Sequence, residues 1–150
     1  MKLDKSCLIG TIKPPKSLEL LDRIIYIEKE IKEIIKAKEA EFIAIEELSV
    51  TRNAKATKAL TALLYHLLIE FRKREYLVVQ VRPSSWRKAC NIRGSNREQL
   101  KTSAIQHIHD LYMLIVNDDE ADALCVAEFA SKLEVENGNK YKKHINKRSF

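Results

Sequence analysis

The chain has 150 residues, 45% of them hydrophobic, which is enough for one domain with a buried core. Its 27 Lys and Arg outnumber 21 Asp and Glu, and this modest net charge of +6 does not by itself identify a partner. No apolar run approaches the ~20 residues of a membrane span, and the first residues lack the apolar segment of a signal peptide.

The first half of the chain alternates between strand and helix patterns. Short apolar runs bounded by turn residues predict three strands, at residues 6–12, 42–45 and 76–81. Apolar residues with a 3.6-residue period predict two long helices, at residues 18–38 and 54–73. Ser17 is a candidate N-cap for the first of these helices. Such alternation is typical of an α/β layer with parallel strands, although three strands make a thin sheet.

The second half of the chain is predicted to be helical. Pro83 ends the third strand, and Gly94 and Ser95 interrupt the pattern that follows. Periodicity predicts a short helix begun by Ser84 or Ser85, then longer helices at residues 97–116 and 118–133. Residues 134–150 are polar and basic, so we expect a domain of residues 1–133 followed by a flexible tail.

The stretch "NDDEADALCVAEFA" at residues 117–130 places four acids at the head of the last helix. On a helical wheel, Asp119 and Asp122 fall in the apolar sector, whereas Glu120 and Glu128 fall on the opposite side. Asp118 lies at the edge of the sector and suits a capping role. Buried carboxylates are costly unless they are paired or bind metal, so Asp119 and Asp122 are candidate ligands. The alternative is that water reaches both at the rim of the first turn.

A third candidate carboxylate ends the strand at residues 42–45. Sites in open α/β sheets form outside the carboxyl ends of the strands, and by alternation Glu46 shares the face of Phe42 and Ala44. A cluster made only of carboxylates suits Mg²⁺ or Mn²⁺ rather than zinc. Two such ions can activate water and stabilise the leaving oxygen in phosphodiester hydrolysis.

Three segments in this order resemble the RuvC family of Holliday junction resolvases, in the ribonuclease-H-like superfamily. They are "IAIEELSVTRNAKATKAL", "RPSSWRKACNIRGSNREQL" and "DDEADALCVA", and the resemblance covers roughly residues 8–130, with phage-type members most similar. It implies a mixed sheet flanked by helices and a homodimeric, Mg²⁺-dependent endonuclease of DNA recombination and repair that nicks branched DNA. It also implies that Glu46, Asp119 and Asp122 are the catalytic, metal-binding carboxylates, and that Arg97 lies near the scissile phosphate.

The family has a further aspartate on a first strand that this sequence does not show. The segment at residues 6–12 resembles the third strand of the family, so we expect an N-terminally incomplete domain. A truncated or mis-assigned start, a second reading frame and a remnant protein are the alternatives. We therefore keep two other functions open: a DNA-binding or dimerisation remnant that no longer cuts, and a phage packaging nuclease on the same fold.

Basic residues flank the proposed site and suit contacts with DNA phosphates. The candidate DNA-binding residues are Arg52, Lys55, Lys58, Arg87, Lys88, Arg93, Arg97 and Lys101. A solvated charged face is the alternative. Trp86 could stack on a base, but a lone Trp is more often a core residue.

The cysteines and histidines predict no further site. Cys7, Cys90 and Cys125 are scattered, without a C-x-x-C spacing, which argues against a disulfide framework, a structural zinc site or thiol catalysis. His107 and His109 lie on nearly opposite faces of one helix, so a metal shared by both is not expected. A reducing cytosol, of a bacterium or a phage-infected cell, is the expected location.

Overall fold

The computed structural model describes residues 7–40, 42–48 and 53–145, with side chains up to Leu133. The chain divides into two compact units, one from Thr11 to Gln80 and one from Val81 onward together with the residues up to Gly10. Its described part is a mixed α/β structure with five helices and a small parallel sheet, as predicted. Within that part, no helix is long and apolar enough to cross a membrane.

The unit from Thr11 to Gln80 packs two helices against one face of a two-stranded sheet. Its elements are α1 (Leu20–Ala37), β1 (Phe42–Glu46), α2 (Ala54–Lys73) and β2 (Leu77–Val81), whose last residue begins the other unit. Ile35, Leu67 and Phe71 form the buried centre of this unit. Ile43 and Ile45 of β1 pack against this centre, which fixes the face that the sheet turns toward the helices.

The unit from Val81 onward is helical. It contains α3 (Pro83–Ala89), α4 (Arg97–Tyr112) and α5 (Asp118–Ile145), and α5 packs against both of the others. Its centre consists of side chains with almost no exposure to solvent: Trp86, Ala104, Ile108, Ala121 and Cys125. Small residues at three of these positions let the helices approach closely around the large ring of Trp86.

The periodic patterns predict the long elements well and their ends less well. The predictions for α1, β1, α2 and β2 are confirmed to within two residues. α4 ends at Tyr112 rather than at residue 116, because Met113 adopts the left-handed conformation, with φ 55° and ψ 32°. α5 continues to Ile145, so part of the predicted tail, residues 134–145, has a helical backbone.

Two predicted helix starts are wrong. α1 begins after Glu19, whose side chain makes no capping hydrogen bond, and Ser17 is not its cap. α3 begins at Pro83 rather than after a serine, since the fixed φ of proline suits the first helical position.

The strand predicted at residues 6–12 is also absent from its described part, residues 7–12. A strand needs a neighbour for its backbone hydrogen bonds, and β1 and β2 pair with each other in the sheet that the structure describes. Leu8 is 61% exposed, so apolar burial does not stabilise this segment either.

Candidate functional site

Glu46 is the last residue of β1 and is half-buried. Because Ile43 and Ile45 pack against the helices, alternation places Glu46 on the opposite face of the sheet, with Phe42 and Ala44. The sequence predicted the same face of the strand for Glu46. Arg52, the first predicted DNA-binding residue after Glu46, lies outside the described residues.

The first turn of α5 is capped by Asn117, not by the predicted Asp118. Asn117 Oδ1 accepts a hydrogen bond from the backbone N–H of Glu120 at 2.9 Å. Glu120 Oε2 in turn accepts one from the N–H of Asn117 at 3.0 Å. The carboxylate of Asp118 pairs instead with the ammonium group of Lys101 on α4. Glu120 is therefore part of the helix cap, and Asp118 connects two helices.

The two predicted helical ligands differ in burial. Asp122 is half-buried, whereas Asp119 is exposed, so the prediction that both face the core is wrong for Asp119. The buried face of α5 is centred on Ala121, Leu124 and Cys125, and Asp119 lies beyond its edge. The alternative of a position at the water-accessible rim thus applies to Asp119.

Acidic and basic groups lie close enough at this turn to shift one another's ionisation. Burial raises the pKa of Asp122, and the neighbouring carboxylates of Asp118 and Asp119 raise it further, while Arg87 and Lys101 oppose the shift. The hydrogen bond from Lys101 lowers the pKa of Asp118. The structure therefore brings three carboxylates together beside two predicted DNA-binding cations.

The other predicted DNA-binding residues of this unit are exposed: Lys88, Arg93 and Arg97. Lys55 and Lys58 are exposed at the start of α2, in the unit from Thr11 to Gln80. Trp86 is fully buried, which confirms the alternative that it is a core residue. Its ring therefore cannot stack on a base. Its ring lies 5.0 Å from the guanidinium carbon of Arg87 and helps to hold that side chain.

The sequence did not predict one group of polar residues that the structure brings together. Cys90, His107 and Cys125 offer ligand atoms that all lie within 4.8 Å of one another. Glu128 is 6% exposed beside them, although the wheel placed it on the solvent side. The cysteines showed no metal-binding spacing in the sequence, because Cys90, His107 and Cys125 meet only through the packing of three helices. The available signal was that Cys125 lies in the apolar sector of α5.

Comparisons with known proteins cover most of the chain, including both units. The model of the family described as Crossover junction endodeoxyribonuclease RuvC matches residues 5–129. The solved structure of Thermus thermophilus RuvC is similar with a TM-score of 0.63 at 15% identity, covering 81% of this chain and 75% of that chain. T. thermophilus RuvC in complex with a Holliday junction substrate is similar with a TM-score of 0.59 at 13% identity, covering 81% and 76%. At these identities the likeness shows the fold, and no curated protein sequence matches the chain.

Proposed function

Because this chain belongs to the RuvC family of crossover junction endodeoxyribonucleases, we propose that it resolves Holliday junctions or other branched DNA by metal-dependent phosphodiester hydrolysis. The observation that carries the proposal is the family match over residues 5–129, which includes Glu46, Asp119 and Asp122. One of the similar solved structures is T. thermophilus RuvC in complex with a Holliday junction substrate, which supports branched DNA as the partner.

The catalytic residues in this proposal are Glu46, Asp119 and Asp122, which hold Mg²⁺ or Mn²⁺. The start of α5 fits such an ion, because burial and the carboxylates of Asp118 and Asp119 raise the pKa of Asp122, and a cation would relieve the repulsion among the three acids. Oxygen-only donors suit hard divalent ions. The bound ion would supply an activated water and stabilise the leaving oxygen.

The chain's own cations position the DNA in this proposal. Arg87 and Lys101 lie beside the carboxylates, and Arg97 lies near Asp118. Arg52, Lys55, Lys58, Lys88 and Arg93 supply further phosphate contacts. Such contacts fix the orientation of the duplex without selecting a sequence.

We further infer a homodimer that acts in the cytosol of a bacterium or a phage-infected cell. A four-way junction must be cut on two strands to be resolved, and a two-fold protein presents two equivalent sites to those strands. Analytical ultracentrifugation of the free chain and of its junction complex tests this stoichiometry.

Nicking of a labelled four-way junction tests the function directly. The chain is incubated at low salt with Mg²⁺ or Mn²⁺, with a linear duplex of matched sequence as the second substrate. Symmetric nicks are expected on the junction, and Asp122→Asn and Asp119→Asn should reduce their rate on the order of 100-fold or more. Glu120→Gln is the matched control, because it removes a charge from the same turn and keeps an acceptor for the helix cap.

Each result distinguishes the functions left open by the sequence. Junction binding without nicks contradicts the nuclease and favours a DNA-binding protein. Equal cutting of the linear duplex contradicts junction selectivity and favours a packaging nuclease. If Glu120→Gln and Asp122→Asn lost nicking activity equally, Asp122 would not be assigned as a metal ligand.

A further inference from the structure

The packing of α3, α4 and α5 encloses a second group of ionisable side chains, with chemistry unlike that of the carboxylates. Cys90 follows the last residue of α3, His107 lies on α4, and Cys125 lies on α5. Cys90 is 2% exposed and Cys125 is fully buried, and both are free thiols. Their sulfur atoms and a ring nitrogen of His107 all lie within 4.8 Å of one another.

A buried carboxylate completes this group. Glu128 Oε2 lies 2.9 Å from Nε2 of His107 and 3.9 Å from the sulfur of Cys90. The other oxygen, Oε1, accepts a hydrogen bond from Lys132 at 2.9 Å. Burying a carboxylate costs free energy, so its presence in this core requires partners. Glu128 therefore holds Nε2 of His107 and also lies beside Cys90.

From this geometry we infer a zinc site in which Cys90, His107 and Cys125 are the protein ligands and Glu128 is the positioning residue of His107. Two thiolates and an imidazole are the donors that Zn²⁺ prefers, and they do not suit Mg²⁺. Glu128 already holds Nε2 of His107, so Nδ1 is the ring nitrogen that this arrangement leaves for zinc. A carboxylate on the other ring nitrogen is the usual support of a zinc-bound histidine.

The distances and the access route fit this ion. Around a tetrahedral zinc, sulfur and nitrogen ligands lie roughly 3.5–3.8 Å apart, so modest side-chain rotations from the observed positions complete the site. An open surface cleft is lined by Cys90 and His107 together with polar residues of α4 such as Thr102 and Gln106. This cleft gives the ion a route from solvent and leaves room for water as the fourth ligand.

The bound ion would connect α3, α4 and α5 at one point. Zinc binds the thiolate form of cysteine, so affinity rises with pH. The site is independent of the proposed nuclease, since its residues are not the proposed catalytic carboxylates. The ion would hold α5, whose N-terminal end carries Asp119 and Asp122.

Metal content of the full chain tests the inference. The protein is produced with added zinc, purified in a reducing buffer without chelator, and analysed by plasma mass spectrometry. One zinc ion per chain is expected, and His107→Asn and Cys125→Ser should lose it. The matched controls are His109→Asn, which changes an exposed histidine on the same helix, and Cys7→Ser, which changes the exposed cysteine.

Further measurements keep the inference falsifiable if a core variant does not fold. Replacing zinc by Co²⁺ in the unmodified chain should produce the near-ultraviolet absorption of thiolate-to-cobalt charge transfer. Glu128→Gln should weaken zinc binding roughly 10- to 100-fold, and Asp119→Asn should leave zinc content unchanged while nicking fails. A zinc-free chain whose melting temperature does not respond to added zinc would overturn the inference. A disulfide between Cys90 and Cys125 in the purified protein would overturn it as well.

Discussion

Asn117 and Glu120 exchange two hydrogen bonds at the start of α5, each side chain accepting from the backbone N–H of the other. A helix start leaves its first N–H groups without partners inside the helix, and this reciprocal arrangement satisfies two of them. The first turn carries Asp119, and Asp122 begins the next turn, so the cap fixes the helix end that carries two proposed metal ligands.

Removing this cap should destabilise the protein. We expect Asn117→Ala to lower the free energy of unfolding by about 1 kcal/mol, measured by urea denaturation. Asn117→Ser should have little effect, because serine also accepts from the backbone at this position. An equal loss in both variants would show that the side chain of Asn117 stabilises the protein in some other way.

The sequence predicted that acids begin this helix, but not which residue caps it. Asn117 and Asp118 are neighbouring residues that both form good caps, and local pattern alone does not choose between them. The choice depends on Lys101, which is distant in sequence and pairs with Asp118. Glu128 was misplaced for the same reason, since its partner His107 lies on another helix.

The end of α4 was predicted wrongly because the described helices α1 to α4 end without glycine. Four residues with positive φ follow the ends of α1, α2, α3 and α4: Glu39, Glu75, Asn91 and Met113. Glycine is the usual signal for this conformation, and the sequence has only 3 glycines. Periodicity therefore predicted which segments are helical. The last residue of each helix depends instead on a strained, left-handed residue after it, which tertiary packing must stabilise.

The contact between α1 and α2 should depend on pH through Glu70. Its carboxylate accepts hydrogen bonds from Lys73 at 2.9 Å and from Lys32 of α1 at 3.2 Å. These two lysines lower the pKa of Glu70 to about 2. A depressed pKa means that the charged form is favoured by folding, so this contribution is present above the ordinary glutamate pKa of about 4.3.

We therefore expect the contribution of Glu70 to stability to disappear as the pH falls from about 4.3 to about 2. Glu70→Gln should lower the melting temperature at pH 7 and flatten its decrease over this acid range. Glu33→Gln, at an exposed position of α1, is the control and should keep the wild-type profile. Parallel acid profiles for Glu70→Gln and the unmodified chain would contradict this role.

The loop before α4 approaches that helix too closely for a side chain at Gly94. A Cβ atom there would lie 2.7 Å from the backbone nitrogen of Leu100 and 2.8 Å from Cβ of Gln99. Because backbone atoms cannot move aside cheaply, we expect Gly94→Ala to cost about 1–3 kcal/mol of unfolding free energy.

Gly10→Ala is the matched comparison, since a Cβ at Gly10 would have nothing within 4 Å. It should leave stability unchanged or raise it by up to about 1 kcal/mol, by restricting the unfolded chain. Denaturation in urea measures both variants under the same conditions. Equal stability of the two variants would mean that the loop at Gly94 relaxes without cost.

Arg97 offers a test of how the proposed nuclease holds DNA. It is exposed at the first position of α4 and close enough to Asp118 to lower the pKa of that carboxyl. A phosphate contact releases counterions, so Arg97→Gln should weaken junction binding at every sequence and reduce the salt slope of log K by about 1. Fluorescence anisotropy at several salt concentrations measures both quantities. Lys36→Gln, an exposed change near the end of α1, is the control and should leave both quantities unchanged. An equal salt slope for Arg97→Gln and the unmodified chain would exclude Arg97 from the phosphate contacts.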